Sequence, residues 1–161
     1  MKFTVRTRIN CSVERFWELY ASDANTRTGA LASGAVAVDI VERNGEFPQA
    51  FSRTIRMEHP VDAPGPVRKL LGETQTITDA GVYDPDARTW SYSVTPATLA
   101  SKISIAGVIR AADNGDGTVD KVNELDVSVK IFGVGALVEK SIEAQTRKSE
   151  EAYAKALNEL V

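Results

Sequence analysis

The sequence predicts an α+β domain in which seven antiparallel strands form a curved sheet, with helices, one of them long and C-terminal, gathered on one side. Apolar and polar residues alternate over most of residues 34–132, which is typical of strands with one face in water. Residues 134–160 instead repeat their apolar positions at helical spacing. A second helical pattern follows the first strand. Because a long amphipathic helix must bury its apolar side, we expect the sheet to receive it.

Size and composition indicate one globular domain covering residues 1–161. The chain has 43% apolar and 25% charged residues, and nothing in it resembles a linker or a repeat. Its 19 basic and 22 acidic side chains argue against nucleic-acid binding, which needs a concentrated basic surface. Cys11 and His59 are the only residues of their types, so intrachain disulfides, cysteine zinc clusters and two-histidine zinc sites are excluded. No metal or other cofactor is predicted.

The sequence also predicts where the protein works. No stretch approaches ~18 consecutive apolar residues, so we expect no integral membrane segment. The first residues alternate in charge and lack the apolar run of a signal peptide. A cytoplasmic location is therefore expected, whereas the oligomeric state stays open.

The first three elements are a strand and two short helices. Residues 2–10 alternate in polarity, which predicts the strand. Ser12 is expected to cap the first helix, with Glu14 in its first turn where the helix dipole favours a carboxylate. Ser22 and Asp23 offer a second cap, for a helix ending near Leu31.

Six further strands complete the predicted sheet. They cover residues 36–43, 47–57, 73–83, 88–95, 101–112 and 118–132. The dipeptide Asn44-Gly45 is a strong signal for a tight hairpin between the first two. Residues 59–66 contain three prolines, which argue against a central strand and place His59 and Pro60 in a loop. Residues 67–71 can form one helical turn that ends at Gly72.

The long C-terminal helix has an unusual centre. Its apolar side is expected to carry Val134, Val138, Ile142, Ala152, Tyr153, Ala156 and Leu160, and its charged side Lys140, Glu143, Arg147, Glu150 and Glu151. Gln145 and Ser149 nevertheless lie in the middle of the apolar side, with Ser141 at its edge. An unpaired buried amide or hydroxyl costs ~1–3 kcal/mol. These groups should therefore meet water, a ligand or another polar side chain.

The order of elements resembles the START-like (SRPBCC) superfamily, whose helix-grip fold wraps a sheet around a C-terminal helix. The first strand followed by Ser12-Val13-Glu14-Arg15-Phe16-Trp17-Glu18-Leu19 is similar to the usual start of that fold. Pro64-Gly65-Pro66-Val67-Arg68-Lys69-Leu70-Leu71-Gly72 resembles an uncharacterised bacterial branch of the superfamily. No catalytic motif is shared. The resemblance implies a cavity between sheet and helix without identifying a ligand.

Side chains that face the helix from the predicted strands are candidates to line such a cavity. The predicted ligand-binding residues are Arg53, Ile55, Met57, Gln75, Asp79, Trp90, Tyr92, Asn123, Leu125, Val138, Ser141, Gln145 and Ser149. Two interpretations stay open. The polar members converge on a small molecule, or Gln145 and Ser149 pair with each other or with backbone while Arg53 faces solvent. Because an isolated buried guanidinium is expensive, Arg53 should pair with Asp79 or a ligand carboxylate, or be exposed.

The proline-rich connection 59–72 is a candidate gate, the alternative being an ordinary stiff connection. Its predicted gating residues are His59, Pro60, Pro64, Val67, Leu70 and Leu71. His59 is the one side chain whose usual pKa lies near neutrality. No nucleophile motif accompanies it, so a solvated loop histidine is expected, and no catalytic residue is assigned.

Three functions remain open at this point. The favoured one is non-catalytic binding or transport of a small hydrophobic molecule, such as a lipid, an isoprenoid or a polyketide-like compound. The second is a polyketide cyclase or dehydratase-like enzyme, which needs Asp79, Arg53 or Tyr92 inside the same cavity. The third is a ligand-free protein-interaction module whose helix packs directly on the sheet. A void of ~300 Å³ or more separates the first two from the third.

Overall fold

A computed structural model describes residues 1–161 and contains seven strands and four helices. In chain order these are β1 (Lys2–Ile9), α1 (Val13–Ala21), α2 (Asp23–Ala32), β2 (Ala37–Gly45), β3 (Phe51–Pro60), α3 (Gly65–Leu71), β4 (Thr74–Asp84), β5 (Thr89–Pro96), β6 (Ile103–Asp113), β7 (Val119–Val129) and α4 (Gly135–Asn158).

The strands form one antiparallel sheet in the order β1-β7-β6-β5-β4-β3-β2. Each strand from β3 to β7 pairs with the strand before it, and β1 closes the order by pairing with β7. The sheet is open and curved, and α4 lies against its inner face. The predicted α+β architecture and number of strands are confirmed.

The two short helices begin at the predicted caps. The Ser12 hydroxyl accepts a hydrogen bond from the Arg15 N–H at 3.2 Å, and the Ser22 hydroxyl accepts one from the Asn25 N–H at 3.3 Å. These bonds satisfy donors that the first turn of a helix leaves free. α1 buries Phe16 and Trp17 completely, which fixes its orientation against the sheet.

Two local predictions are wrong. The chain does not turn at Asn44-Gly45, because β2 continues through Gly45 and residues 46–50 form a longer connection to β3. His59 and Pro60 lie at the end of β3, paired with Gln75 and Thr74, and not in a loop. Pro60 is tolerated because it is the last residue of the strand and so removes no hydrogen bond from its interior.

Two apolar clusters support α4 near its two ends. The aromatic cluster includes Phe16, Trp17, Phe51, Tyr83 and Trp90 and receives Ala154 and Leu157 of α4. The aliphatic cluster consists of Val67, Ile103, Val127, Val129 and Val138, and Val138 belongs to the first turns of α4. Between the clusters the helix is supported mainly by polar contacts, described below.

The predicted faces of the long helix need correction. Leu160 lies beyond the end of α4 and is exposed, whereas Ala154 and Leu157 are buried. Glu150 faces the sheet and not solvent, because two polar side chains of β7 stand opposite it.

Two glycines of the sheet make room for aromatic rings on its inner face. A Cβ at Gly81 would overlap the indole ring of Trp90, and a Cβ at Gly107 would overlap the phenol of Tyr92. Gly81 pairs with Tyr92, and Tyr92 pairs with Gly107, along one row across the sheet. The rings of Trp90 and Tyr92 therefore each lie over the glycine of a neighbouring strand and do not project into the space above their own strand.

Replacing Gly81 with Ala is expected to lower the free energy of unfolding by about 1–3 kcal/mol, because Trp90 must leave its place over the sheet. Urea denaturation measures the change. Gly65→Ala is the matched control, since a Cβ there meets no atom within 4 Å, and it should alter stability by less than about 0.5 kcal/mol. Equal losses in the two variants would contradict this account of the packing.

Candidate ligand cavity

A cavity of about 350 Å³ separates the middle of α4 from the inner face of the sheet. It is bounded by β3 to β7, α4 and one side of α2. Its volume lies within the usual range of small-molecule sites. The middle of α4 therefore does not pack directly on the inner face of the sheet, and the premise of the ligand-free interaction module is not met.

The structure brings together every predicted ligand-binding residue except one. Those that line the cavity are Arg53, Ile55, Met57, Gln75, Asp79, Trp90, Tyr92, Asn123, Leu125, Ser141, Gln145 and Ser149. Val138 does not, because it is fully buried in the aliphatic cluster and anchors the start of α4. The prediction that Val138 contacts a ligand is therefore not supported by its position.

The cavity has a polar end and an apolar end. At the polar end Arg53 is 6% exposed, and its guanidinium lies between the rings of Tyr20 and Trp90, 5.4 and 4.9 Å from their centroids. It donates one hydrogen bond, to the Tyr20 carbonyl at 3.0 Å. Arg53 is thus buried without a carboxylate partner from the protein, so the expected exposure and the expected pair with Asp79 are both wrong, whereas pairing with a ligand carboxylate stays a prediction. Its other donors remain available to the cavity.

Asp79 faces the cavity from the neighbouring strand. It pairs across the sheet with Ile55 on one side and Val94 on the other, so its carboxyl stands in an apolar row. It forms no ion pair and no side-chain hydrogen bond within the protein. Burial raises the pKa of Asp79 to about 6, against the opposing attraction of Arg53 and Lys121. The side chain is partly accessible only because it borders the cavity.

A chain of hydrogen bonds crosses from the sheet to α4 beside these two residues. The Tyr92 hydroxyl donates to Oδ1 of Asn123 at 2.9 Å, and Nδ2 of Asn123 donates to Oε1 of Glu150 at 2.7 Å. Lys121 Nζ contacts Oε2 of the same carboxylate at 2.5 Å and lies 4.4 Å from the centre of the Tyr153 ring. Burial raises the pKa of Tyr92 above its usual value, so this phenol stays protonated.

Sequence reasoning missed several of these residues. Tyr20, Lys121, Glu150 and Tyr153 all border the cavity. Lys121 could have been predicted to face the cavity, because it lies two residues before Asn123 in the same strand and so points to the same face of the sheet. Glu150 could not have been predicted in this way, because its partners lie on another element.

The polar residues at the centre of α4 are largely satisfied within the protein. Nε2 of Gln145 donates to the Ser149 hydroxyl at 3.2 Å, and that hydroxyl donates to the Ser33 carbonyl at 3.2 Å. This agrees with the interpretation in which they pair with each other and with backbone. Oε1 of Gln145 is buried without a partner, however, as is Oε1 of Gln75.

The apolar end lies toward the candidate gate. Its side chains include Met57, Ile77, Val94, Ile103, Ile105, Leu125 and Ile142. Of the predicted gating residues, His59, Pro60, Val67 and Leu71 border the cavity, whereas Pro64 and Leu70 do not. His59 is half-buried, and burial lowers its pKa, so the expected solvated histidine is wrong. The cavity reaches the surface beside exposed Pro60 and Asp62, and Asp62 pairs with Lys148 of α4 at 2.9 Å.

The structure carries neither a metal-binding cluster nor a membrane-spanning helix. No group of three or more histidine, cysteine, aspartate or glutamate side chains is arranged to hold a metal ion. None of the helices has both the length and the apolar character that crossing a bilayer requires.

The structure of this chain is similar to solved structures of several differently named proteins. An aromatase/cyclase, Zhui, from a Streptomyces species has a TM-score of 0.72 and 16% identity, covering 100% of this chain and 96% of its own. A START superfamily protein from Mycobacterium smegmatis has a TM-score of 0.68 and 13% identity, covering 99% of both chains. Norcoclaurine synthase from Thalictrum flavum has a TM-score of 0.66 and 13% identity, covering 99% of this chain and 85% of its own.

At these identities the likeness shows the fold alone, and it confirms the START-like helix-grip architecture. No curated protein matches the chain in sequence. The family described as "Protein of unknown function (DUF2505)" matches residues 4–161, which is nearly the whole length. The chain therefore belongs to the DUF2505 family and has the START-like helix-grip fold.

Proposed function

We propose that this protein binds a small hydrophobic molecule with one polar head group, and carries it without chemical change. The observation that carries the proposal is the 350 Å³ cavity, apolar at one end and polar at the other. Apolar burial supplies affinity at ~25 cal/mol per Å². A few convergent polar groups then orient the ligand, as in most small-molecule sites.

The free hydrogen-bonding groups favour a head group that is rich in acceptors. Arg53 uses one donor on the Tyr20 carbonyl and meets no carboxylate. A buried guanidinium without an anion is costly, so a ligand carboxylate, phenolate or polarised carbonyl gains most at this position. Lys121 is less available, because Glu150 already holds it. Lipid, isoprenoid and polyketide-like compounds with an acidic or carbonyl head all fit this description.

The aromatase/cyclase and norcoclaurine synthase names belong to proteins of the same fold. They motivate a second candidate, a cyclase or dehydratase-like enzyme. The specific observation in its favour is Asp79, an unpaired cavity carboxyl with a pKa of about 6. A group that titrates near neutral pH can both accept and donate a proton, as general acid–base catalysis needs.

Filling the apolar end should block binding. Ile105→Trp is expected to weaken binding of the neutral fluorophore phenylnaphthylamine at least about tenfold, because the indole takes up space that the probe needs. Fluorescence titration measures the affinity. Val82→Trp is the control, since Val82 is exposed on the outer face of the sheet. Unchanged affinity in Ile105→Trp would remove the cavity from the proposal.

The head-group preference has its own test. Anilinonaphthalene sulfonate has the ring system of phenylnaphthylamine plus an anionic sulfonate, so we expect the wild-type protein to prefer it. Arg53→Gln should abolish that preference while the neutral probe still binds. Retention of the preference in Arg53→Gln would place the head group elsewhere.

Carriage and catalysis are separated by the fate of the ligand. Native mass spectrometry of the protein, after exposure to a lipid extract from its host, should detect a bound molecule. A carrier returns that molecule unchanged. If the wild-type protein converts it, for instance by loss of water, and Asp79→Asn does not, the enzyme replaces the carrier.

The cost of keeping Asp79 in the cavity should be visible in stability. Its folded-state pKa of about 6 exceeds its usual value of 3.8, so the folded state binds the proton more tightly than the unfolded state. Stability from this group is therefore lost as pH rises from ~4 to ~6. Above pH ~7, Asp79→Asn should be more stable than wild type, by up to ~3 kcal/mol.

The gain should vanish below pH ~4, where the wild-type carboxyl is protonated in both states. Denaturation across this pH range measures it, with Asp86→Asn on an exposed turn as the control. A gain for Asp79→Asn that does not vary with pH would show that the carboxyl is not the cause.

A further inference from the structure

Three connections meet at one end of the sheet. Because β3, β5 and β7 all end at the same edge of the antiparallel sheet, residues 61–73, 97–102 and 130–134 lie near one another. Leu70, Leu99 and Ile131, one from each connection, pack against the aliphatic cluster. The amide N–H of Lys130 donates to the carbonyl of Lys102 at 2.8 Å, which joins the last two connections directly.

The charge at this end is opposite in sign to that of the whole chain. Residues 64–72, 97–102 and 130–137 contain Arg68, Lys69, Lys102 and Lys130 and no acidic residue, although the chain carries a net charge of −3. All four basic side chains are exposed. Three acidic residues border them, namely Asp62, Glu73 and Glu139. Asp62 pairs with Lys148, and the carboxylate of Glu139 accepts a hydrogen bond from the Val129 amide.

A large aromatic side chain projects from the same end. Phe132 is fully exposed, while its neighbour Ile131 packs inward on the aliphatic cluster. Leu137 in the first turns of α4 is also exposed, at 37%. The side chain of Phe132 gains nothing from the fold in this position.

We propose that residues 64–72, 97–102 and 130–137, together called the docking tip, bind an anionic phospholipid surface. Phe132 enters the headgroup region, and the four basic side chains lie at the phosphates. The proposal rests on the proposed function, since the docking tip adjoins the apolar end of the cavity. Val67 and Ile103 belong to the aliphatic cluster and also line the cavity.

The dimensions of the docking tip favour a bilayer over a protein partner. A stable protein interface buries ~800 Å² on each side and has an apolar centre. Phe132 and Leu137 provide a far smaller apolar area, surrounded by basic residues. A bilayer needs only a shallow apolar contact plus positive charge. A hydrophobic ligand also resides in the bilayer, and the opening of the cavity beside Pro60 and Asp62 directly precedes the docking tip in the chain.

Cosedimentation with vesicles tests the proposal. The protein should bind vesicles of phosphatidylcholine with phosphatidylglycerol but not phosphatidylcholine alone, and added salt should weaken binding. Phe132→Ser should reduce binding about tenfold, and Lys102→Gln or Lys130→Gln about fivefold each. Val82→Ser, which removes an apolar side chain that is 55% exposed on the outer face, should have no effect.

Equal binding by Phe132→Ser and wild type, or equal binding to both kinds of vesicle, would overturn the proposal. Self-association in light scattering that Phe132→Ser abolishes would also overturn it, since the occupant would then be a second copy of the chain. Phenylnaphthylamine titration without vesicles keeps the two proposals apart. Probe binding without vesicle binding contradicts only the docking tip, and vesicle binding without probe binding contradicts the carrier.

Discussion

The cavity depends on how α4 is supported. The helix is anchored at one end by Val138 in the aliphatic cluster and at the other by Ala154 and Leu157 in the aromatic cluster. Between these anchors its contacts are mainly hydrogen bonds and an ion pair, including the reciprocal contacts of Ser33 and Ser149. Long polar side chains do not draw the helix onto the sheet as apolar packing does. The cavity therefore forms where α4 lacks apolar residues that would pack against the sheet.

Charge inside the cavity imposes a second constraint. Besides the exposed Asp62 at its opening, two cations and two carboxylates border it, and buried charges are tolerated only when they are compensated. Lys121 and Glu150 compensate each other, and Arg53 relies on two aromatic rings and one carbonyl. Asp79 has no such partner, and its pKa is raised because burial disfavours the charged carboxylate. Groups retained against stability are characteristic of functional sites.

Strand parity explains why much of the site was predictable. Once Ile55, Ile77 and Leu125 are assigned to the inner face, alternation places Arg53, Asp79 and Asn123 beside them. A helical pattern gives only an angle about the axis, not which element stands opposite each turn. Glu150 was misassigned for that reason, because it meets a lysine from β7. The turn of Val138 meets an apolar cluster, and its predicted contact with a ligand stays a prediction.

The polar and apolar ends of the cavity lie at opposite edges of the sheet. Arg53 and Trp90 lie near the edge of the sheet where β3 and β5 begin, whereas Ile103 and Val67 lie at the opposite edge beside the docking tip. A ligand whose head group meets Arg53 therefore leaves its apolar part toward the docking tip. If both proposals hold, the apolar part is the last to leave the bilayer on binding and the first to return on release. The two proposals together therefore account for both the polarity of the cavity and the composition of the docking tip.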